Sequence, residues 1–245
     1  MPQKSIRLSP ISTLHYTKLV LRSLLFLAVL VFYILDKAHV LANFAPLPIG
    51  VWILFVVEMI LRFFPARLES MGCQKQFKRN YVPVSPDAIP TNQSWRVTAL
   101  VAILWLGLNG LIGLCYFLGW LDRGALLLIA IGFSVCDIIC ILFFCPFQTW
   151  FMKNRCCTTC RIYNWDFAMM FTPLVFIPSL YTYSLLGFAL ALLIRWEVTY
   201  KLHPERFSPA ANRCLSCANC KEKLCSHKKQ LRGFLQKYRS RFFPN

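Results

Sequence analysis

Seven of the twelve cysteines stand in two short polar stretches, and thiols at that spacing bind metal. Cys156, Cys157 and Cys160 form Cys-Cys-Thr-Thr-Cys, and Cys214, Cys217, Cys220 and Cys225 follow with spacers of two, two and four residues. A two-residue spacer lets a turn aim both thiolates at one ion while its backbone amides face the sulfurs. Cytosolic thiols stay reduced, so such pairs hold metal more often than they form disulfides. The surrounding Lys and Arg lower thiol pKa and favour the ligating thiolate. The competing reading is a set of free thiols or a redox-labile pair.

Cys157, Cys160, Cys217 and Cys220 make the expected core of one site, with Cys156, Cys214 and Cys225 as alternates. As a C-x2-C…C-x2-C set they suit tetrahedral zinc, whose role would be to pin the C-terminal tail to the end of the fourth span. Cys214, Cys217 and Cys220, closed by Cys225 or Cys160, instead suit an iron–sulfur cube. The run departs from a bacterial ferredoxin motif, because four residues precede its last cysteine and Ser226 follows it. The metal stays open between zinc, slightly favoured, and an iron–sulfur cluster. His203 and His227 lie close enough in sequence to substitute as ligands, although a solvated histidine is the commoner state. Cys145-Pro146 near the inner end of a span, followed by the later cysteine run, resembles membrane-anchored ferredoxin-type proteins of respiratory chains, over a small share of the chain.

A second group of polar residues falls inside apolar sequence. Asp137 sits near the middle of a span, where an ionised carboxylate costs at least ~2.5–3.5 kcal/mol. It must be protonated, paired or facing water. Asn109, midway along the preceding span, is expected at the same depth, either as a hydrogen-bonded partner that fixes helix packing or as part of a proton, ion or quinone site. Glu58 precedes Arg62 by four residues and is expected to pair with it along the helix. Gly107, Gly110 and Gly113 are expected to mark a close helix contact. His15, His39, His203 and His227 all lie outside the spans, which leaves no haem ligation there.

The elements that must position these residues are membrane helices. Of the 245 residues 57% are hydrophobic, against roughly 45–50% in soluble chains. Only 15% are charged, yet Lys plus Arg number 27 against 10 Asp plus Glu, so the +17 charge sits in the flanks of apolar runs. Such runs are Ser23–Leu35 (extended by Lys18 and Arg22, which can snorkel), Val40–Val57, Val97–Leu121, Gly124–Trp150 and Phe167–Ile194. A helix needs about 20 apolar residues to cross a ~30 Å core. The third and fourth runs form a helical hairpin through Leu121-Asp122-Arg123-Gly124, and the first two pair likewise. The basic start before Val40-Leu41-Ala42 also fits a cleavable signal peptide, but the stretch from Lys18 onward is long enough to remain as an anchor.

Cytoplasmic loops carry the excess of Lys and Arg. Lys4, Arg7, Lys18 and Arg22 put the N-terminus inside, Asp36–Pro48 is balanced and outside, and Arg62–Arg96, with six basic and two acidic residues, is inside. Asp122 and Arg123 balance outside, and Lys153, Arg155 and Arg161 return inside. A fifth crossing would leave Arg195–Asn245, with twelve basic and three acidic residues, outside. Phe167–Ile194 holds 28 residues, too few for two full crossings, and Pro173 and Pro178 break it near the middle. A re-entrant helical hairpin satisfies both length and charge, with a fifth transmembrane helix as the alternative; its apex must be buried among helices.

The expected fold is therefore an all-α integral membrane protein with four transmembrane helices, a membrane-embedded re-entrant hairpin and a small Cys-rich cytoplasmic metal-binding cap. A basic leader (1–17) precedes helices 1 and 2 (18–64). An extended Pro-containing cytoplasmic loop (65–96), whose Asn92-Gln93-Ser94 sequon faces inward, leads to helices 3 and 4 (97–150). A Cys-rich loop (151–166), the hairpin (167–195) and a Cys-rich metal-binding segment (196–227) follow. In 228–245, Leu231, Phe234, Leu235, Tyr238 and Phe242 recur at helical spacing among Lys and Arg, as in a surface helix on anionic lipid headgroups. The apolar stripe favours lipid over nucleic acid, which is not an expected partner.

This pattern places the chain in a bacterial-type inner membrane with both termini cytoplasmic. Its expected function is that of a multipass inner-membrane metalloprotein whose cytoplasmic thiolate metal site serves electron transfer to a redox partner or quinone. A transporter or channel using Asp137 and Asn109, and a non-catalytic scaffold with a zinc cap, are the alternatives. No Ser/His/Asp set, phosphate loop or paired carboxylate points to hydrolysis.

Overall fold

The computed structural model describes residues 10–35, 46–65, 71–85, 88–91, 94–154, 156–219 and 225. Asn92, Cys220, His227 and the 228–245 segment fall outside them. Among the described residues the chain is helical, and its extended pairing is one isolated antiparallel bridge, Pro83 to Asn212. The α-helices are α1 (Pro10–Leu35), α2 (Pro46–Leu61), α3 (Met71–Gln76), α4 (Trp95–Phe117), α5 (Arg123–Leu142), α6 (Asp166–Phe171) and α7 (Leu180–Leu202). Ile11–Leu35, Trp95–Phe117 and Arg123–Leu142 are long and apolar enough to cross a membrane, whereas the apolar stretch of α2, Ile49–Leu61, is shorter. Helix α1 begins within the segment read as a leader, with Pro10 at its first position, where a missing N–H costs nothing, so His15, expected outside the spans, lies buried in this helix.

The bundle turns its apolar side outward. Helix α1 exposes Leu21, Leu24 and Leu27, and α4 exposes Ile103, Leu106 and Leu111, while Asn109, on that same helix, is buried at 3% exposure. Apolar surface on this scale suits lipid contact. Inside, Phe55, Met59, Leu126, Phe167, Met170 and Leu174 form one core that joins α2, α5, α6 and the turn after α6.

Side-chain contacts give the direction of each helix. Tyr33 donates to Asp122 Oδ2 at 3.1 Å, while Tyr16 packs edge-on against Phe143, so α1 and α5 run antiparallel. Trp52 donates to Ser184 Oγ at 2.8 Å and Arg195 donates to the Phe63 carbonyl at 2.5 Å, so α2 and α7 run parallel. The α4–α5 turn passes through Gly119 at φ +78°, a left-handed backbone that favours glycine. Asp122 then caps α5 by accepting from the Ala125 N–H at 2.7 Å.

The fifth apolar run is broken where the prolines require it. Helix α6 passes into a 3-10 turn, Thr172–Phe176, with Pro173 in its first turn, and the chain is extended at Ile177 before α7. Asp166 at the start pairs with Arg62, and Phe176 at the far end packs on Tyr116 and Phe117. Helix α7 then brings Arg195 back to Phe63. Both ends of the run thus lie at the Arg62 end of the bundle. The first limb is about 19 Å long by its helical rise, shorter than α7. Of the three spaced glycines, Gly113 alone meets a neighbour: a Cβ there would overlap the Phe176 ring, while Gly107 and Gly110 have open space. The close contact exists, but with the hairpin rather than along the whole α4 face.

The loop expected to be an extended connector is folded instead. It holds α3 and a 3-10 turn at Lys78–Asn80, and Gln74, Lys75 and Gln76 are buried. Gln76 donates to the Thr158 carbonyl at 3.0 Å and accepts from Asn164 Nδ2 at 2.8 Å. Asn212, fully buried, donates to the carbonyls of Lys75 at 3.0 Å and Arg206 at 2.9 Å and accepts from the Cys214 N–H at 3.1 Å. Backbone bonds from Val84 to Ala211 and from Arg213 to Val82 complete the join. Buried amides saturate backbone groups that no helix satisfies, and so three loops far apart in sequence make one polar cap.

Candidate functional site: buried ion pairs, two thiol groups and a cavity

The polar residues inside the bundle form ion pairs between helices. Glu58 accepts from Lys18 at 3.0 Å and from Arg22 Nη2 at 2.7 Å. Arg22 Nη1 donates to the Ser134 carbonyl at 2.9 Å and lies 3.5 Å from Asp137 Oδ2. Arg62 Nη1 meets Asp166 Oδ2 at 2.6 Å and stacks over the Phe167 ring at 4.6 Å. Two expectations are corrected here. Asp137 pairs with Arg22 rather than Asn109, whose Nδ2 donates to the Trp105 carbonyl one turn back on its own helix at 2.9 Å. Glu58 and Arg62 do not pair with each other, because the side chains leave α2 toward α1 and α6 respectively. The signal for this lay in Lys18 and Arg22, which are four residues apart and share one face of α1.

At the Arg62 end, the two cysteine clusters meet at Cys156 and Cys225. Cys156 is hydrogen-bonded to the Cys225 thiol, and its Sγ lies 3.1 Å from Thr158 Oγ1. The Cys225 hydrogen bond, Thr158 and the Lys75 ammonium together hold Cys156 down to about 5, against the opposing effect of burial. Cys157 donates to Gln148 Oε1 at 2.8 Å, and Cys214 donates to the Asn80 carbonyl at 3.2 Å. Cys160 is buried, which pushes its thiol up to about 12, while Cys217 is exposed. His203 pairs with Glu205 at 3.1 Å. Among the described residues no three His, Cys, Asp or Glu side chains converge as ligands for one ion.

The low pKa of Cys156 has a direct chemical consequence. A thiol held near 5 is a thiolate at pH 6, where an ordinary thiol is protonated, and the thiolate is the nucleophile. In chelator-treated protein, iodoacetamide at pH 6 is expected to label Cys156 at least about tenfold faster than Cys160, with the Cys156 rate falling only as pH drops through about 5. Peptide mapping of a labelling time course measures this; a Cys156 rate that rises only above pH 8 refutes the assigned acidity.

Three cysteines inside the fourth apolar run, which spacing alone did not single out, line a cavity of about 260 Å³. Cys136, Cys140 and Cys145 approach it from α5 and the turn beyond, and Cys157 and Cys160 from the following loop. Trp105, Phe133 and Phe147 supply aromatic wall. A π-helical turn at Phe147–Phe151 follows Cys145-Pro146 and carries Gln148, which donates to the Asn154 carbonyl at 2.9 Å while accepting from Cys157. Such turns often mark functional sites. Cys140 and Cys145 are hydrogen-bonded to each other, and Cys145 Sγ accepts from the Gln148 N–H at 3.4 Å. No family model, curated protein or solved structure matches the chain.

Proposed function

We propose that the chain is a multipass metalloprotein of a bacterial-type inner membrane, with a thiolate metal site on its cytoplasmic face. The observation that carries this reading is the contact between Cys156 and Cys225, which joins two cysteine clusters from opposite ends of the hairpin. Cys156 and Cys225 supply two donors; the others come from the remaining cluster thiols, Cys157, Cys160, Cys214, Cys217 and Cys220. Soft thiolates suit zinc or an iron–sulfur cluster. The Thr158 hydroxyl and Lys75 ammonium beside Cys156 favour zinc, because a tetrathiolate zinc carries net negative charge that a cation offsets, whereas a cluster is usually held in an apolar shell.

In this arrangement four helices, α1, α2, α4 and α5, cross the bilayer, and α6 and α7 form the re-entrant hairpin. Both termini are cytoplasmic, and 228–245 lies on anionic headgroups. The parallel course of α2 and α7 and the return of Arg195 to Phe63 support that topology. The metal holds the C-terminal segment against the cap made by α3 and the Cys156–Cys160 turn.

Metal analysis of protein purified without oxygen tests the reading. About one zinc per chain in a colourless sample is expected, and visible absorbance would assign an iron–sulfur cluster instead. Cys156→Ser together with Cys225→Ser is expected to remove most of the metal, and Cys115→Ser to leave it bound. Full retention by the double variant would overturn the shared site.

A further inference from the structure

We propose that the thiol-lined cavity is a quinone site and that Cys140 and Cys145 are the dithiol that exchanges electrons with it. The electron-exchanging thiols, Cys140 and Cys145, are not among the metal donors, although Cys157 and Cys160 of the metal-site clusters also line the cavity. The meeting of Cys140 and Cys145 is built by the fold. Residues five apart on a continuous helix point about 140° away from each other. Helix α5 stops at Leu142, and Phe143 leaves the helical path at φ −116°, ψ −70°. The turn into Cys145-Pro146 brings the second thiol back onto the first. The chain thus spends a helix end, inside apolar sequence, on joining two thiols.

The cavity beside them fits an organic ring better than an ion. Its 260 Å³ equals the liquid volume of about nine waters, far more than a coordinated cation fills. Trp105, Phe133 and Phe147 offer flat aromatic surface for a planar ring. The access route is also set by the structure. Cys136 lines the cavity, is exposed, and lies within the α5 span, which gives a lipid-soluble ligand a route in from the side of the bundle. A planar, lipid-soluble molecule that exchanges two electrons with a dithiol is a quinone.

The step balances as written. The two S–H bonds of Cys140 and Cys145 break, one S–S bond forms between the sulfurs, and the two electrons and two protons convert the two quinone carbonyls to hydroxyls. One quinone is consumed per chain in a single turnover from the reduced protein.

The full chain in nanodiscs, reduced and freed of reductant, is mixed with a short-tailed benzoquinone whose ring carbons are all substituted, so that thiols cannot add to it. Loss of quinone absorbance by about one equivalent per chain is expected, with a Cys140–Cys145 disulfide in the peptide map. Cys140→Ser and Cys145→Ser should each abolish quinol formation, whereas Cys115→Ser and the Cys156→Ser, Cys225→Ser pair should not. Phe133→Trp serves as a check that does not touch the thiols: it adds bulk to the aromatic wall and should slow reduction of the quinone at least tenfold, while diamide still forms the disulfide. No quinol from the wild-type chain, quinol formed equally by Cys140→Ser, or a disulfide between other cysteines would overturn the proposal.

Discussion

Arg22→Leu is expected to destabilise the protein by about 3–5 kcal/mol, the usual cost of removing one partner from a buried ion pair. The guanidinium is 5% exposed and serves three acceptors on two helices: Glu58, Asp137 and the Ser134 carbonyl. Leucine fills a similar volume, so the loss reports on charge rather than on a void. Lys18 still neutralises Glu58 at 3.0 Å, which leaves Asp137 as the carboxylate without its cation. Adding Asp137→Asn to Arg22→Leu should therefore recover part of the stability, while Asp137→Asn alone should stay near wild type because its pair is the longer one, at 3.5 Å. Unfolding midpoints in mild detergent measure all three variants. A single Arg22→Leu variant as stable as wild type would refute the network, and no recovery in the double variant would remove Asp137 from it.

Asp166→Leu is expected to have an effect of the same size for a different structural reason. The Arg62–Asp166 pair is 2.6 Å long with both side chains less than 10% exposed. Asp166 also opens α6, where a carboxylate favours the helix N-terminus by ~0.3–1 kcal/mol. Its loss leaves Arg62 charged beside the Phe167 ring and frees the near end of the hairpin from α2. Stability should fall by about 3–5 kcal/mol, with hydrogen exchange rising first in α6 and the turn after it. Unchanged protection of α6 would show that its apolar packing, not the ion pair, seats the hairpin.

Much of the helical framework was legible because long apolar runs and prolines are one-dimensional signals. The runs at Val97–Leu121 and Gly124–Trp150 contain most of α4 and of α5, and Pro173 and Pro178 mark the break that the structure has. Charge balance alone also required both ends of the hairpin at one end of the bundle. What was not legible depended on side chains meeting from distant parts of the chain. Phe143 and Phe144 continue the apolar pattern past Leu142, so composition could not show that α5 ends there and folds Cys145 back onto Cys140. Gln76, Asn164 and Asn212 look like solvated loop residues until their burial and carbonyl partners are known. Of the metal core expected from spacing, Cys157 and Cys160 turn toward the cavity, and the clusters touch through Cys156 and Cys225. Turn geometry, which spacing leaves free, decides which thiol of a cluster faces which way.

The two-sided use of Arg22 also sets a timetable for biosynthesis. Its first partner, Glu58, is 36 residues later in the chain, and its second, around Ser134 and Asp137, is 112 and 115 residues later. At the usual ~5–20 residues per second, Glu58 follows Arg22 out of the ribosome after about 2–7 s, and Asp137 after about 6–23 s. In the proposed four-span topology, the first two helices can therefore leave the insertion machinery as a charge-compensated pair. Helix α5 arrives as the late partner, drawn to the face of the guanidinium that α2 leaves open.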